Sequence, residues 1–416
     1  MKIFVIGKSA GTQAFIELLA KSENIEKIYC APGNPAIAAT AECINIAFDD
    51  LTGLCEFAKE QSIDITIPFD EYVIQKGIAN IFMQENLKIF APSIEASQVA
   101  TSRAFAKKFI YKQKIPTPKY GVFDREASGI DYLKKIDYPV VIKYDHLAHS
   151  DSFVCPTFVK AKNVLEKAFF DVGKKVVIEE LPDGEMIRLS ILTDGYSVIP
   201  LPYVKEYDRV SGEITKGVGA YAPFSKVSSV MEDKIAQKIV FPILDALQNL
   251  RTPYCGFLSL KLLLTPNDEI LLTECMPLPG IAEAVCVFQM IEEDIMEIIM
   301  GATDGTLEDM PPILNVTDDT VVTAALMSGN YPCDYKENVQ VYGIEDVDEE
   351  NVELYYNDVG MNSSYEISTT GGRAFFMTAR AGTLNKAVDT LYSNIDRVKF
   401  DGVHYLKDIG KVEVLL

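Results

Sequence analysis

The chain has 416 residues, a hydrophobic fraction of 48% and a formal net charge of −21, which predicts more than one domain, each with a sizeable core. The negative charge excludes non-specific binding to nucleic acid or to an anionic membrane surface, though not a local basic pocket for a phosphorylated substrate. No apolar run approaches membrane-spanning length, and the opening MKIFVIG enters a strand directly rather than reading as a signal peptide. The 8 cysteines are scattered without a CxxC pair, so reduced thiols in a cytoplasmic protein are expected, and no zinc site.

In chain order, KIFVIG predicts a buried strand, Gly7 to Gly11 a turn, and AFIELLAKS a helix. KIYCAPGNP, DITIP and KIFAP are further short apolar runs ending in proline or polar turns. Strands alternating with helices predict a parallel sheet with helices on both faces. The turn KSAG lacks the three-glycine dinucleotide fingerprint.

A second region starts near Gln98. TSRAFAKKFIYKQK reads as a basic amphipathic helix stopped by Pro116, its lysines mostly in water. VVIKY and KKVVIEEL are strands on either side of the helical stretch AKNVLEKAFFDVG, and strands follow around IRLSILTDG and YSVIPLPYVKEY. TPYCGFLSLKLLLTPNDEILLTECMPLPG predicts a hairpin turning at PND, its second strand ending at Glu274. From about Asp319, VVTAALMSGNYP, NVELYYNDVG, AFFMTARAGT and the helix LNKAVDTLYSNIDRV suggest a small α+β domain. The acidic run EDVDEENVE is expected to be a solvated loop.

After Lys143 a loop runs to Phe153 without any glycine, carrying Asp145, His146, His149 and Asp151. A phosphate loop normally uses glycines so that backbone N–H groups close around the anion; acids there oppose one. The two histidines fall on one face only if the segment is helical, so simple polar pairs are expected rather than a metal site.

Several motifs fall in one order and resemble glycinamide ribonucleotide synthetase (phosphoribosylamine–glycine ligase), an ATP-grasp family. They are FVIG, APGN at Ala31–Asn34, DITI followed by Glu71, SRAF at Ser102–Phe105, KIPT at Lys114–Thr117, VVIK ending at Lys143 and VIEELPDGE ending at Glu185. KGVGAYAP at Lys216–Pro223, GFL at Gly256–Leu258, Glu274, NYPCDY, TTGGRAF and KDIG complete the series. The resemblance implies a three-part ATP-grasp architecture: an N-terminal parallel α/β domain over 1–100, an ATP-grasp domain over 101–318 with a small lid subdomain at 120–185, and a C-terminal α+β domain over 319–416.

It also implies ATP-driven ligation. ATP phosphorylates the carboxylate of an amino acid, and the amine of a phosphorylated sugar attacks the acyl phosphate. By the same resemblance, Glu179, Glu180 and Leu181 form the adenine hinge, Glu185 bonds the ribose, and Lys143 with Arg103 contacts phosphate. Glu71, Arg209, Lys216, Gly217 and Gly219 belong to the substrate loops, and Glu274 is a magnesium ligand. Departures cluster at the reacting end. Met276 stands where the family has an asparagine ligand, a poor partner for a hard cation, which puts Mg2+ in doubt. Leu278 and Ile281 replace an arginine and an aspartate, whereas Gly280 and Glu283 remain. Glu206, Tyr207 and Asp208 replace an Asp-His-Lys run, and Ile214 and Lys216 replace an asparagine and a glycine. Lys8–Gly11 replaces a glycine-rich turn, and Phe69 and Asp70 replace Gly-Pro. His146, Ser150 and Ser152 replace loop glycines, and Asp151 a lysine. Two functions are therefore expected: a diverged ATP-dependent carboxylate–amine ligase with altered substrate or reduced activity, or a non-catalytic paralogue that binds a metabolite or a protein.

Overall fold

A computed structural model describes residues 1–145, 152–172 and 175–411. The expectations placed on His146, His149, Ser150 and Asp151 fall outside these residues. The N-terminal sheet is parallel, with strand order Glu42–Cys43, Lys27–Pro32, Lys2–Gly7, Ile65–Pro68. The helix Ala10–Leu19 follows the first strand, its N-terminus closed by Ser9, which accepts from the Thr12 amide. The run KIFAP contributes only a bridge from Ile89 to Thr66.

A second, antiparallel sheet has the order Tyr120–Phe123, Val176–Glu180, Val140–Tyr144, Ser152–Cys155. The third sheet has nine strands. From one edge it runs Ile270–Met276, Gly256–Leu264, Glu185–Thr193, Val204–Val210, Glu213–Ala222, Thr320–Met327, Arg373–Ala381, Val352–Tyr356, with Val198–Pro200 beside Glu185–Thr193. Ala222 pairs with Val321, so three strands of the expected C-terminal region extend the central sheet, while Val359–Met361 and Ile367–Thr369 form a separate two-stranded sheet. The hairpin turns between Leu264 and Ile270, and its second strand reaches Met276, two residues past Glu274.

Aromatic packing fixes the N-terminal sheet against the large one. Phe15 stacks on Phe69 at 4.9 Å between ring centroids and meets Phe288 at 5.2 Å, while Phe90 meets Phe257 edge-on at 5.3 Å. These rings come from the first helix, the turn after Ile65–Pro68, the run KIFAP, the strand Gly256–Leu264 and the helix Ile281–Met290, and all are buried in one core. Burying each such ring contributes roughly 1.5–3 kcal/mol, so the seam is held by packing rather than by exposed polar contacts. Among the described residues, no helix is long and apolar enough to cross a membrane. All eight cysteines are free thiols.

Candidate functional site

A cleft of about 1510 Å3 opens between the small antiparallel sheet and the large sheet. Its walls carry Lys143, Glu179, Glu180, Leu181 and Glu185 at one end, and Arg188, Glu206, Glu274, Met276 and Gly280 at the other. Glu71, Arg209, Lys216 and Gly217 also line it.

At the first end, strands Val140–Tyr144 and Val176–Glu180 pair so that Lys143 lies opposite Val177 and Val141 opposite Glu179. The Glu179 carboxylate then meets Lys143 Nζ at 3.2 Å and Lys107 Nζ at 2.9 Å. Lys107 comes from the helix Arg103–Lys112 and also donates to Thr117 Oγ1 at 2.7 Å. It is buried, unlike the water-facing lysines expected of that helix. Burial raises the Glu179 pKa, but the two ammonium groups outweigh it and hold the carboxyl below its usual range. Burial also lowers the Lys107 pKa, against the pull of Glu179. Lys143 lines the cleft and Lys107 does not; the Lys143 ammonium is shared between Glu179 and the Thr273 carbonyl oxygen at 3.4 Å.

The hinge segment is partly engaged already. The Glu180 amide donates to Lys119 O at 2.9 Å and the Leu181 amide to Pro139 O at 3.3 Å, while Glu185 pairs with Lys226 at 2.7 Å. Asp145 does not point at a phosphate position. Its Oδ1 accepts from Ser102 Oγ and the Ala104 amide, both at 2.9 Å, at the start of the helix Arg103–Lys112, whose N-cap is Ser102.

The second end is set by register. Arg188, Lys261 and Glu274 lie side by side across three strands, and Ser190, Ser259 and Met276 form the next row. Side chains two residues apart share a face of a strand, so both rows point the same way. Arg188 Nε donates to Glu206 Oε2 at 2.8 Å, and Arg188 NH1 to Met276 Sδ at 2.9 Å. Lys261 Nζ meets Asp208 Oδ2 at 2.5 Å. Glu274 pairs with Arg103, whose NH1 holds Tyr144 O at 2.7 Å. Glu283, in the first turn of Ile281–Met290, accepts from Ser190 Oγ at 2.5 Å, Ser259 Oγ at 2.9 Å and the Gly280 amide at 2.9 Å.

Burial raises the Glu283 pKa, with Arg188 pulling it back. Burial works against the Arg188 charge, but Glu206 and Glu283 overcome it and fix the guanidinium in its protonated form. For Asp208, burial is outweighed by Lys261, which holds the carboxyl low. Glu206 Oε1 is buried with no hydrogen-bond partner among the described residues. It lies between two glycines: a Cβ on Gly217 would come to 2.5 Å of it, and one on Gly280 to 3.1 Å.

The expected residues therefore converge with two differences of placement. Arg103 sits behind the cleft against Glu274. Gly219 faces the C-terminal region, where a Cβ would meet Ile409 Cδ1 at 2.3 Å and Thr323 O at 3.2 Å. Of Lys8–Gly11, Ser9 is the N-cap of the helix Ala10–Leu19 and Ala10 and Gly11 are its first residues, with Lys8 preceding it. Asp70 caps Glu71–Gln75 by accepting from the Tyr72 and Val73 amides, and burial raises its pKa.

Comparison with known proteins decides the family. The phosphoribosylglycinamide synthetase N domain matches residues 1–100, its ATP-grasp (A) domain residues 101–276 and its C domain residues 321–412. The chain belongs to the phosphoribosylglycinamide synthetase family. It is 33% identical to a phosphoribosylamine–glycine ligase of Caldanaerobacter subterraneus subsp. tengcongensis, covering 99% of each chain. It is also 33% identical to one from Clostridium acetobutylicum, over 99% of this chain and 100% of the relative. The crystal structure of the Thermotoga maritima phosphoribosylamine–glycine ligase superposes with a TM-score of 0.81 at 20% identity, covering 98% of this chain and 100% of that one. The biotin carboxylase domain of Hydrogenobacter thermophilus 2-oxoglutarate carboxylase, solved with MgADP, ADP and bicarbonate, superposes at 0.74 with 14% identity, covering 99% and 94%. The three-part ATP-grasp architecture of the phosphoribosylglycinamide synthetases is thus the architecture of this chain.

Sequence reasoning overlooked Lys107 and Arg188. A signal for Arg188 was present. The apolar strands carry polar residues two apart, Arg188 and Ser190 in IRLSILT, Ser259 and Lys261 in FLSLKLLL. Polar pairs with that spacing inside buried strands mark one face committed to something other than core.

Proposed function

We propose that this chain is a cytoplasmic ATP-dependent carboxylate–amine ligase whose substrate or rate has diverged from the phosphoribosylamine–glycine ligases it is similar to. The observation that carries the nucleotide part is the Lys107–Glu179–Lys143 arrangement, two ammonium groups around one carboxylate at 2.9 and 3.2 Å, beside the hinge Glu179–Leu181 and Glu185. Lys143 would meet phosphate and Glu185 the ribose, with segment 120–185 as the lid of a 101–318 unit between 1–100 and 319–416.

In the reaction, the terminal phosphoryl group passes from ATP to a carboxylate, giving an acyl phosphate and ADP. An amine then attacks the acyl carbon, phosphate leaves, and the amine proton is lost. Glu206 Oε1, buried between Gly217 and Gly280, would accept from an ammonium or amine substrate. Arg209, Lys216 and Glu71 would meet the polar remainder, such as a phosphorylated sugar. Divergence is supported by the other side of that corner: Arg188 and Lys261 tie up Glu206 and Asp208.

A magnesium site at Glu274 does not fit the residues present. Glu274 is paired with Arg103, and Met276 offers a thioether that already accepts from Arg188, whereas Mg2+ takes oxygen ligands in a strict octahedron.

The test is steady-state ligation of glycine and phosphoribosylamine with ATP, together with ATP binding by calorimetry. ATP should bind weakly. Glycinamide ribonucleotide formation should be slower than in the bacterial ligases by on the order of 100-fold, the loss expected from ångström-scale misplacement of reactants. Turnover equal to theirs, or rescue of a purine auxotroph lacking its own ligase, would sink the divergence.

A further inference from the structure

We propose that Arg188 is a built-in cation in the place of a divalent metal, so that the cleft takes the phosphate tail of an adenine nucleotide without magnesium. The inference rests on the nucleotide reading above and names the group that neutralises the tail.

The guanidinium sits on the cleft wall with its charge fixed by neighbours. Glu274 is engaged by Arg103, Glu283 by two serines and the Gly280 amide, and Glu206 by Arg188 itself through Oε2, while Glu206 Oε1 is without a partner among the described residues. A divalent ion entering there would have to break buried ion pairs, sit beside a permanent positive charge and accept a sulfur neighbour.

Arg188, by contrast, has donor capacity to spare. A guanidinium carries five N–H groups in a plane. Nε is spent on Glu206, but NH1 points at Met276 Sδ, and a thioether is a weak acceptor. A phosphate oxygen is a far stronger partner for an arginine N–H, because both groups are charged. The Met276 contact therefore holds the donor in place and gives way easily to an anion. Rigidity comes from the strand pairing, which sets Arg188 opposite Lys261 in the middle of the sheet.

Calorimetric titration of the full chain with ATP, ADP and AMP, each in EDTA and in magnesium, tests this. For the wild-type protein the ATP dissociation constant should agree within about twofold between the two buffers, a difference under roughly 0.5 kcal/mol. Arg188→Ser should weaken ATP in EDTA by roughly 10- to 100-fold, the range of a lost charged hydrogen bond, and leave AMP unchanged. Arg188→Lys should recover part of that loss. The wild-type comparison decides the matter even if Arg188→Ser does not fold. ATP binding at least about tenfold tighter with magnesium, a step of 1.4 kcal/mol, would overturn the proposal and leave the nucleotide reading standing, as would equal losses for ATP and AMP in Arg188→Ser. Failure of all three nucleotides to bind would remove both.

Discussion

The two ends of the cleft use the same components in opposite proportions. Around Glu179, two lysines share one carboxylate, so Lys143 retains positive charge toward the cleft. Around Arg188, three carboxylates, Glu206, Glu274 and Glu283, gather near two arginines. The first arrangement suits an anion. The second pairs its cations with carboxylates, keeps one Arg188 N–H on the weak acceptor Met276 Sδ, and leaves one carboxylate oxygen, Glu206 Oε1, to receive a donor. The two ends can differ in this way because they lie on different sheets and are positioned by different strand pairings.

The largest expected effect comes from removing the shared carboxylate. Glu179→Ala leaves Lys107 and Lys143 without their counter-ion, and breaking a buried pair in this way costs about 3–5 kcal/mol. Urea denaturation should show that loss. A change below about 1 kcal/mol would mean the triad is solvated.

Next, the two ends should respond oppositely to pH. Glu179 has its pKa held below the ordinary 4.5, so the unfolded chain takes up the proton first. Its stabilisation is complete above that value and is lost as pH falls through the lowered folded value. The Glu283 pKa is raised above 4.5, so its contribution is present below that value and is lost as pH rises through the raised one. Melting temperature against pH should therefore lose its acid-side slope in Glu179→Gln, and a separate slope above pH ~4.5 in Glu283→Gln. Identical profiles for the two variants would break the comparison.

Lys143→Met should weaken ATP by roughly 1.5–3 kcal/mol, the value of a charged hydrogen bond, and adenosine hardly at all. Equal losses for both would show that the Lys143 end does not receive phosphate. Smallest of all, Lys226→Ala removes an exposed partner of Glu185 and should change stability by less than about 1 kcal/mol in denaturant titrations.

The backbone plan was largely legible. FVIG, VVIK and the hairpin around PND fell where apolar runs and turn residues placed them. The burial of Lys107 was not, because a lysine in a basic helix reads as solvated until the strand carrying Glu179 is known to pack beside it. Arg188 was hidden for a similar reason: only the pairing of Glu185–Thr193 with Gly256–Leu264 and Ile270–Met276 brings it level with Lys261 and Glu274. Asp145 was misread in direction. As a loop acid after Lys143 it seemed set against phosphate, and it instead accepts from the N-cap Ser102 and the Ala104 amide at the start of the helix Arg103–Lys112.

The most direct test of the contrast between the two ends is a crystal structure of the full chain with ADP and Mn2+, with anomalous scattering used to find the metal. The account predicts phosphate oxygens within hydrogen-bonding distance of Lys143 and Arg188, with no anomalous peak at Glu274. A manganese ion bound to Glu274, with the Arg188 guanidinium displaced from Glu206, would contradict it.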